Sequence, residues 1–234
     1  MALRLQSRTP KLKMAACFMR LPIPVLAAAL ALSCAFASAN VISFPAENFS
    51  LDVPAGWISS PLATLPPPSR MIAAGRSPTN GNLYNVLMTG LPIPIAPESF
   101  LAGMQKPLIA KGWKASPIRD ETIDGIPFAV FTMSRDAGPP FMLLATAFAE
   151  NRIYVLQVVD PSGNVETAPE LNGIVQSFRF LKPVHAVTRH EKTTGSQAYQ
   201  IGYLVGRYVV RGAGLLVVLG VVVFLLVKAI KPAR

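Results

Sequence analysis

Few residues of this 234-residue chain have the types and spacing that chemistry needs. His185 and His190, with Glu191 beside the second, are the first to weigh as metal ligands or as a general base. Side chains five apart do not share a helix face. No third ligand is near them, so they read as part of a solvated linker. Asp120-Glu121 and Asp124 gather carboxylates that acid–base work could use, but they flank an Asp124-Gly125 turn, where acids commonly serve solubility. Asp160-Pro-Ser-Gly-Asn164 begins like a calcium loop and lacks the remaining ligand positions, so a turn is favoured. There is no G-x-S-x-G, H-E-x-x-H, Walker A or G-x-G-x-x-G sequence. A Ser-His-Asp triad would have to recruit its histidine from the linker. No catalytic, cofactor-binding or metal residue is therefore assigned. Asn48-Phe-Ser50 is a glycosylation sequon, relevant only in a eukaryotic secretory route. Trp57 and Trp113 read as core or loop anchors.

The chemistry that remains is that of interfaces. Tyr199, Tyr203, Arg207 and Arg211 recur every fourth residue and so align along one helix face. Tyrosine at a bilayer interface keeps its ring dry and its hydroxyl wet, and arginine meets lipid phosphates. These four are the candidate membrane-interface residues of a juxtamembrane helix over 198–211. Gly202 and Gly206, also four apart, form a row continued by Val210 and Gly214. Such small-xxx-small rows let two helices approach closely, which makes these glycines candidates for pairing two copies into a homodimer.

The element that would position these residues is the apolar run 212–230, interrupted only by Lys228. Nineteen residues at 1.5 Å each give roughly 28 Å, the thickness of a hydrocarbon core. The run predicts a single transmembrane helix followed by a short cytoplasmic tail, 231–234. At the other end, residues 1–20 carry Arg4, Arg8, Lys11, Lys13 and Arg20 and no acid; Leu21–Phe36 is apolar, and Ala37-Ser38-Ala39 follows. That is the pattern of a secretory signal peptide over 1–39. Met19-Arg20 would serve as an alternative start. Cys17 and Cys34 both fall within this segment, so a cleaved protein carries no thiol and no disulfide.

The formal charge of +10 suggests a nucleic-acid partner until its distribution is read. Between Asn40 and Pro183 there are ten Lys/Arg against eleven Asp/Glu, a net charge of −1. The basic residues belong to the two ends, where they serve targeting and membrane contact.

One domain of ordinary size, 40–183, lies between, followed by a linker, 184–197. Phe49–Val53 alternates as a half-buried strand, and 59–69 is a proline-rich loop. Met71–Ala74 and Leu83–Thr89 read as strands. Glu98–Lys111 reads as a helix with Phe100, Leu101, Met104 and Leu108 on one face, kinked or ended early by Pro107. Hairpins follow over Ser116–Ser134, around Asp124-Gly125, and over Phe141–Asp160, around Glu150-Asn151. The last strand is apolar on both faces, Tyr154, Leu156 and Val158 against Ile153, Val155 and Val159, as a central strand covered on both sides must be. Thr167-Ala-Pro-Glu170 reads as a capping box opening a helix with Leu171, Ile174, Val175 and Phe178 in one stripe. The fold class is α+β.

Phe49-Ser-Leu-Asp-Val-Pro-Ala-Gly-Trp57, the two hairpins, and a closing helix that ends in Ser177-Phe178-Arg179-Phe180 resemble the PsbP-like family over about residues 43–182. That fold is shared by an extrinsic photosystem II subunit, a Ran-binding import factor and bacterial envelope proteins. The resemblance implies an α/β/α sandwich around a central antiparallel sheet and a binding or assembly role, and it carries no catalytic residues. The expectation is a single-pass inner (plasma) membrane protein whose domain faces the periplasm or another extracytoplasmic space and binds an envelope partner, with membrane lipids as its other contact. A small-ligand or lipid carrier, betrayed by a deep apolar cavity, and a hydrolase with an acidic site are the alternatives.

Overall fold

The computed structural model describes residues 39–90, 96–136, 138–149, 151–189 and 197–209. The signal-peptide pattern up to residue 38, His190, Glu191, Arg211, the apolar run 212–230 and the tail lie outside the described residues. Among the described residues no helix is long and apolar enough to cross a membrane.

The chain runs β1 (Ala39–Phe44), β2 (Phe49–Pro54), β3 (Ile58–Ser59), β4 (Ser69–Arg76), β5 (Leu83–Gly90), α1 (Pro97–Ile109), β6 (Trp113–Ala115), β7 (Arg119–Ile123), β8 (Ile126–Arg135), β9 (Pro140–Ala149), β10 (Arg152–Val159), α2 (Pro169–Gln176) and β11 (Arg179–Phe180). A further helix, α3, covers residues 197–209. The main sheet has the order β3-β4-β5-β10-β9-β8-β6, with β7 also paired to β8, and β1-β2-β11 form a small second sheet. Every pairing between these strands is antiparallel. The fold is α+β.

β10 lies between β5 and β9, and its side chains divide between two cores. Ile153, Val155 and Val159 pack with α1 and α3 residues; Tyr154, Leu156 and Val158 pack with β2 and α2 residues. A strand covered on both faces needs apolar side chains at odd and even positions alike. This places the sheet between a layer holding α1 and α3 and a layer holding α2 and the small sheet. On the second side, Phe49, Phe178 and Tyr154 form a buried aromatic cluster, with the Phe49 and Phe178 rings stacked at 5.2 Å. Tyr154 keeps its hydroxyl satisfied by donating to the Glu47 carbonyl at 2.8 Å.

The hairpin over β7 and β8 turns at Asp124 and Gly125, both with positive φ, as a two-residue type I′ turn requires. The α1 helix runs through Pro107, which has no N–H to give to the carbonyl four residues back, and ends two residues later at Ile109. The capping box at 167–170 does not form. Ala168 is the N-cap of α2 and no side chain caps it. Pro169 at the first helical position shifts the start by one residue. Glu170 instead accepts from the side-chain amides of Asn80 and Asn82 in the β4–β5 turn, the latter at 2.6 Å.

The segment after residue 183 is tied to the sheet. Ala186 bridges Ala149, Val187 N–H donates to the Phe148 carbonyl at 2.8 Å, and Arg189 donates to the Ile118 carbonyl at 2.9 Å. Ala198, Val205 and Val209 of α3 are buried in the same core cluster as Phe100, Met104 and Leu108 of α1. The folded unit thus extends beyond 40–183, because α3 covers part of the sheet face that α1 leaves open.

Candidate functional site: a parallel helix pair at the end of the domain

The strongest structural singularity is the contact between α1 and α3. A helix buries a stripe at i, i+4, i+7, i+8 and i+11 against a neighbour. Ala198, Gly202, Val205, Gly206 and Val209 occupy that stripe and are buried. At Gly202 an added Cβ would collide with the Phe100 carbonyl oxygen, at Gly206 with the Met104 carbonyl oxygen and the Pro107 ring, and at Gly103 with the Tyr199 carbonyl oxygen. Glycines on both helices therefore let backbone touch backbone. The contacts advance together: Phe100 meets Gly202, and Pro107 meets Gly206. The two helices run parallel, so their C-terminal ends point the same way.

The sequence-derived site residues take distinct places on this pair. Tyr199 and Tyr203 are half-buried beside α1, and Lys106 extends over the Tyr199 ring with its ammonium 5.7 Å from the centroid. Arg207 is exposed on the outer side of α3, and Arg211 lies outside the described residues. Gly202 and Gly206 face α1 of their own chain. A second copy would find that face occupied, so close pairing through these two glycines needs α1 to leave. Gly103 and Pro107 complete the contact; the sequence marks Pro107 only as a kink or end of the helix and does not single out Gly103. The available signal was a glycine inside an otherwise well-formed apolar helix, a position that costs helix stability and often has a packing reason.

The residues weighed for catalysis are dispersed. His185 is exposed. Among the described residues no group of three or more His, Cys, Asp or Glu side chains could hold a metal ion. Asp160 is spent on its own turn, accepting from the Ser162 N–H at 2.9 Å and the Ser162 hydroxyl at 2.6 Å. Asp120 pairs with Arg189 at 3.1 Å. Glu121 and Glu166 both hold Arg119, the former at 2.6 Å, and the Glu121 hydrogen bond leads the causes that raise the guanidinium above its ordinary pKa. Asn48 of the sequon is engaged twice, donating to the Lys182 carbonyl and accepting from the Lys182 N–H. Trp57 packs on Tyr84 and Trp113 on Phe141, as anchors do.

Buried polar side chains do occur on the face covered by α1 and α3. Asn85 donates to Gln157 at 3.2 Å across β5 and β10, and Gln157 donates to the Met142 sulfur at 3.5 Å. Ser69 and Thr89 share a hydrogen bond at 2.9 Å. These link neighbouring strands within the sheet and converge on no common point.

No family model matches the sequence, and no curated protein does. Among solved structures the chain is similar to the solution structure of cyanobacterial PsbP from Synechocystis sp. PCC 6803, at 13% identity and a TM-score of 0.47, over 63% of this chain and 95% of that one. It is also similar to a crystal structure from Bacteroides thetaiotaomicron VPI-5482, at 14% identity and a TM-score of 0.38, over 62% of this chain and 49% of that one. PsbP, whose family the sequence resembles over about residues 43–182, is thus among the solved structures that the chain is similar to.

Proposed function

We propose that this chain is a membrane-anchored binding or assembly module of the cell envelope, without enzymatic activity, whose α+β domain is presented outside the cytoplasm in a fixed orientation. One observation carries the reading. The helix that leads into the apolar run 212–230 is built into the domain's own core through the glycine contact with α1. A domain merely tethered to a bilayer needs only a flexible linker. One that must meet a partner at a set height and angle gains from a rigid junction, because fewer orientations are lost on binding. The signal-peptide pattern at 1–39 and the near-neutral domain support export, with 231–234 left in the cytoplasm. The partner is then an envelope protein, and membrane lipids are the second contact.

The test is protease accessibility combined with cross-linking in native membranes. Protease added to intact spheroplasts should remove the domain and leave a C-terminal membrane fragment, and cross-linking should yield one discrete heteromeric species. Full protection of the domain would overturn its placement outside the cytoplasm, and its release by carbonate extraction would overturn the anchoring. A released activity on a model ester, phosphoester or glycoside would overturn the non-enzymatic part.

A further inference from the structure

Resting on that anchored reading, we infer that the C-terminal end of α1, with the start of β6 beside it, is a second membrane contact that recognises anionic lipid headgroups. The sequence leaves only Val210 and Arg211 between the last described residue of α3 and the apolar run. Val209 and Gly212 are three residue steps apart, at most about 11 Å. Val209 must therefore lie at the surface of the bilayer if 212–230 crosses it. Because α1 and α3 run parallel with Pro107 level with Gly206, Ile109 lies level with about Val209, within 1 or 2 Å along the axis at 1.5 Å per residue. The glycine contact holds the two helix axes close, so Ile109 is brought to the same surface.

The residues at that end fit the environment. Ile109 is 53% exposed, an apolar side chain that the protein covers only by about half. Lys111 and Lys114 follow it, both exposed, and Arg135, paired across the sheet with Trp113, is exposed next to them. Arg207 projects from α3 nearby. Asp136, which follows Arg135, is an exposed acid at this end of β8. The acids Asp120 and Asp124 go to the opposite end, since β7 pairs with the first half of β8 and β6 with the last residues. An exposed isoleucine with lysines and arginines on the neighbouring segments is the composition of a surface that dips into a headgroup layer, where basic residues are attracted to anionic lipid. A pivot at the transmembrane helix and a second contact at Ile109 define two points, which restrains the tilt of the domain on the membrane.

The experiment uses the full chain, with Cys17 and Cys34 replaced by serine, reconstituted in phosphatidylcholine vesicles with and without 30% phosphatidylglycerol. A fluorophore is placed in Ile109→Cys, in Lys111→Cys, or in Asp124→Cys as the far-end control, and quenching by a headgroup-labelled nitroxide lipid is read. Quenching at 109 and 111 at least 5-fold above 124, strengthened by phosphatidylglycerol and, for the label at 109, halved by Lys111→Glu with Lys114→Glu, is the expected result. Protein that floats with the vesicles yet shows equal quenching at 109 and 124 overturns this contact while leaving the anchor intact. Strong quenching indifferent to phosphatidylglycerol and to charge reversal overturns the recognition of anionic lipid. Failure to float removes the anchored reading, and this inference with it. A thermal melt of each labelled protein matching the unlabelled one shows that the exposed substitutions leave the fold unchanged.

Discussion

Gly202 of α3 lies against the carbonyl oxygen of Phe100 in α1, with no room between them for a methyl group. The contact reverses an ordinary rule. Glycine in the middle of a helix costs about 1 kcal/mol relative to alanine, so Gly→Ala at an unhindered helical position stabilises. Here alanine must push two backbones apart.

The first prediction uses that reversal. Gly202→Ala should lower stability by about 1–3 kcal/mol, the usual cost of overpacking. Gly173→Ala in α2, where an added Cβ meets nothing within 4 Å, should raise it by about 0.5–1 kcal/mol. Thermal melts of the two variants beside the parent should move in opposite directions. If both rise, the helices are not in contact.

A second prediction concerns where the folded unit ends. A fragment 40–183 lacks Ala198, Val205 and Val209, which pack against Phe100, Met104 and Leu108. Losing two buried valines removes about 3–6 kcal/mol of burial, a large share of a typical domain's stability. Fragment 40–209 should melt cooperatively, whereas 40–183 should bind a hydrophobic dye and melt broadly or at least 10 °C lower. Equal midpoints would show that α3 contributes nothing to the core.

The third prediction addresses Asn85 and Gln157, a hydrogen-bonded pair buried under the helix layer. Gln157→Ala leaves the Asn85 amide unsatisfied and opens a cavity, and should cost about 2–4 kcal/mol. Replacing both with leucine removes the orphaned group and should recover most of that loss. A double-mutant cycle in urea measures the coupling; simple additivity would mean that the pair does not interact.

The fourth prediction follows from Tyr84, whose phenol is pushed above its ordinary pKa by burial. The raised folded value makes the sign definite. Below pH 10 the phenol is neutral in both states and its contribution is intact. Above that, the unfolded chain ionises first, binds fewer protons than the native state, and stability falls as pH rises toward the folded value. Urea midpoints from pH 8 to pH 11 should therefore decline more steeply for the parent than for Tyr84→Phe. Parallel curves would contradict the burial effect.

Much of the domain was legible in the sequence because local physics settles it. β10 had apolar residues on both faces, and only a strand between two neighbours with cover above and below can bury both. Asp124-Gly125 demanded positive φ, and the chain turns there. The short strands β3, β6 and β11 escaped notice, because two or three residues carry no readable alternation and exist only where a partner strand passes. Glu170 had the spacing of a capping box, yet two asparagines from β4–β5, some 90 residues away in sequence, took its carboxylate.

The glycines of α3 mark the division most clearly. Their four-residue spacing makes a face that another backbone can approach closely. Spacing cannot name what approaches, because a small-residue row is complementary to any backbone that can reach it. Tertiary structure decided the partner: the sheet carries α1 alongside α3 with Gly103 and Pro107 facing the row, and the close approach is made within one chain. The sequence by itself determined that a row of small residues precedes the apolar run; only the packing of α1 on the sheet determined that this row is buried within the domain.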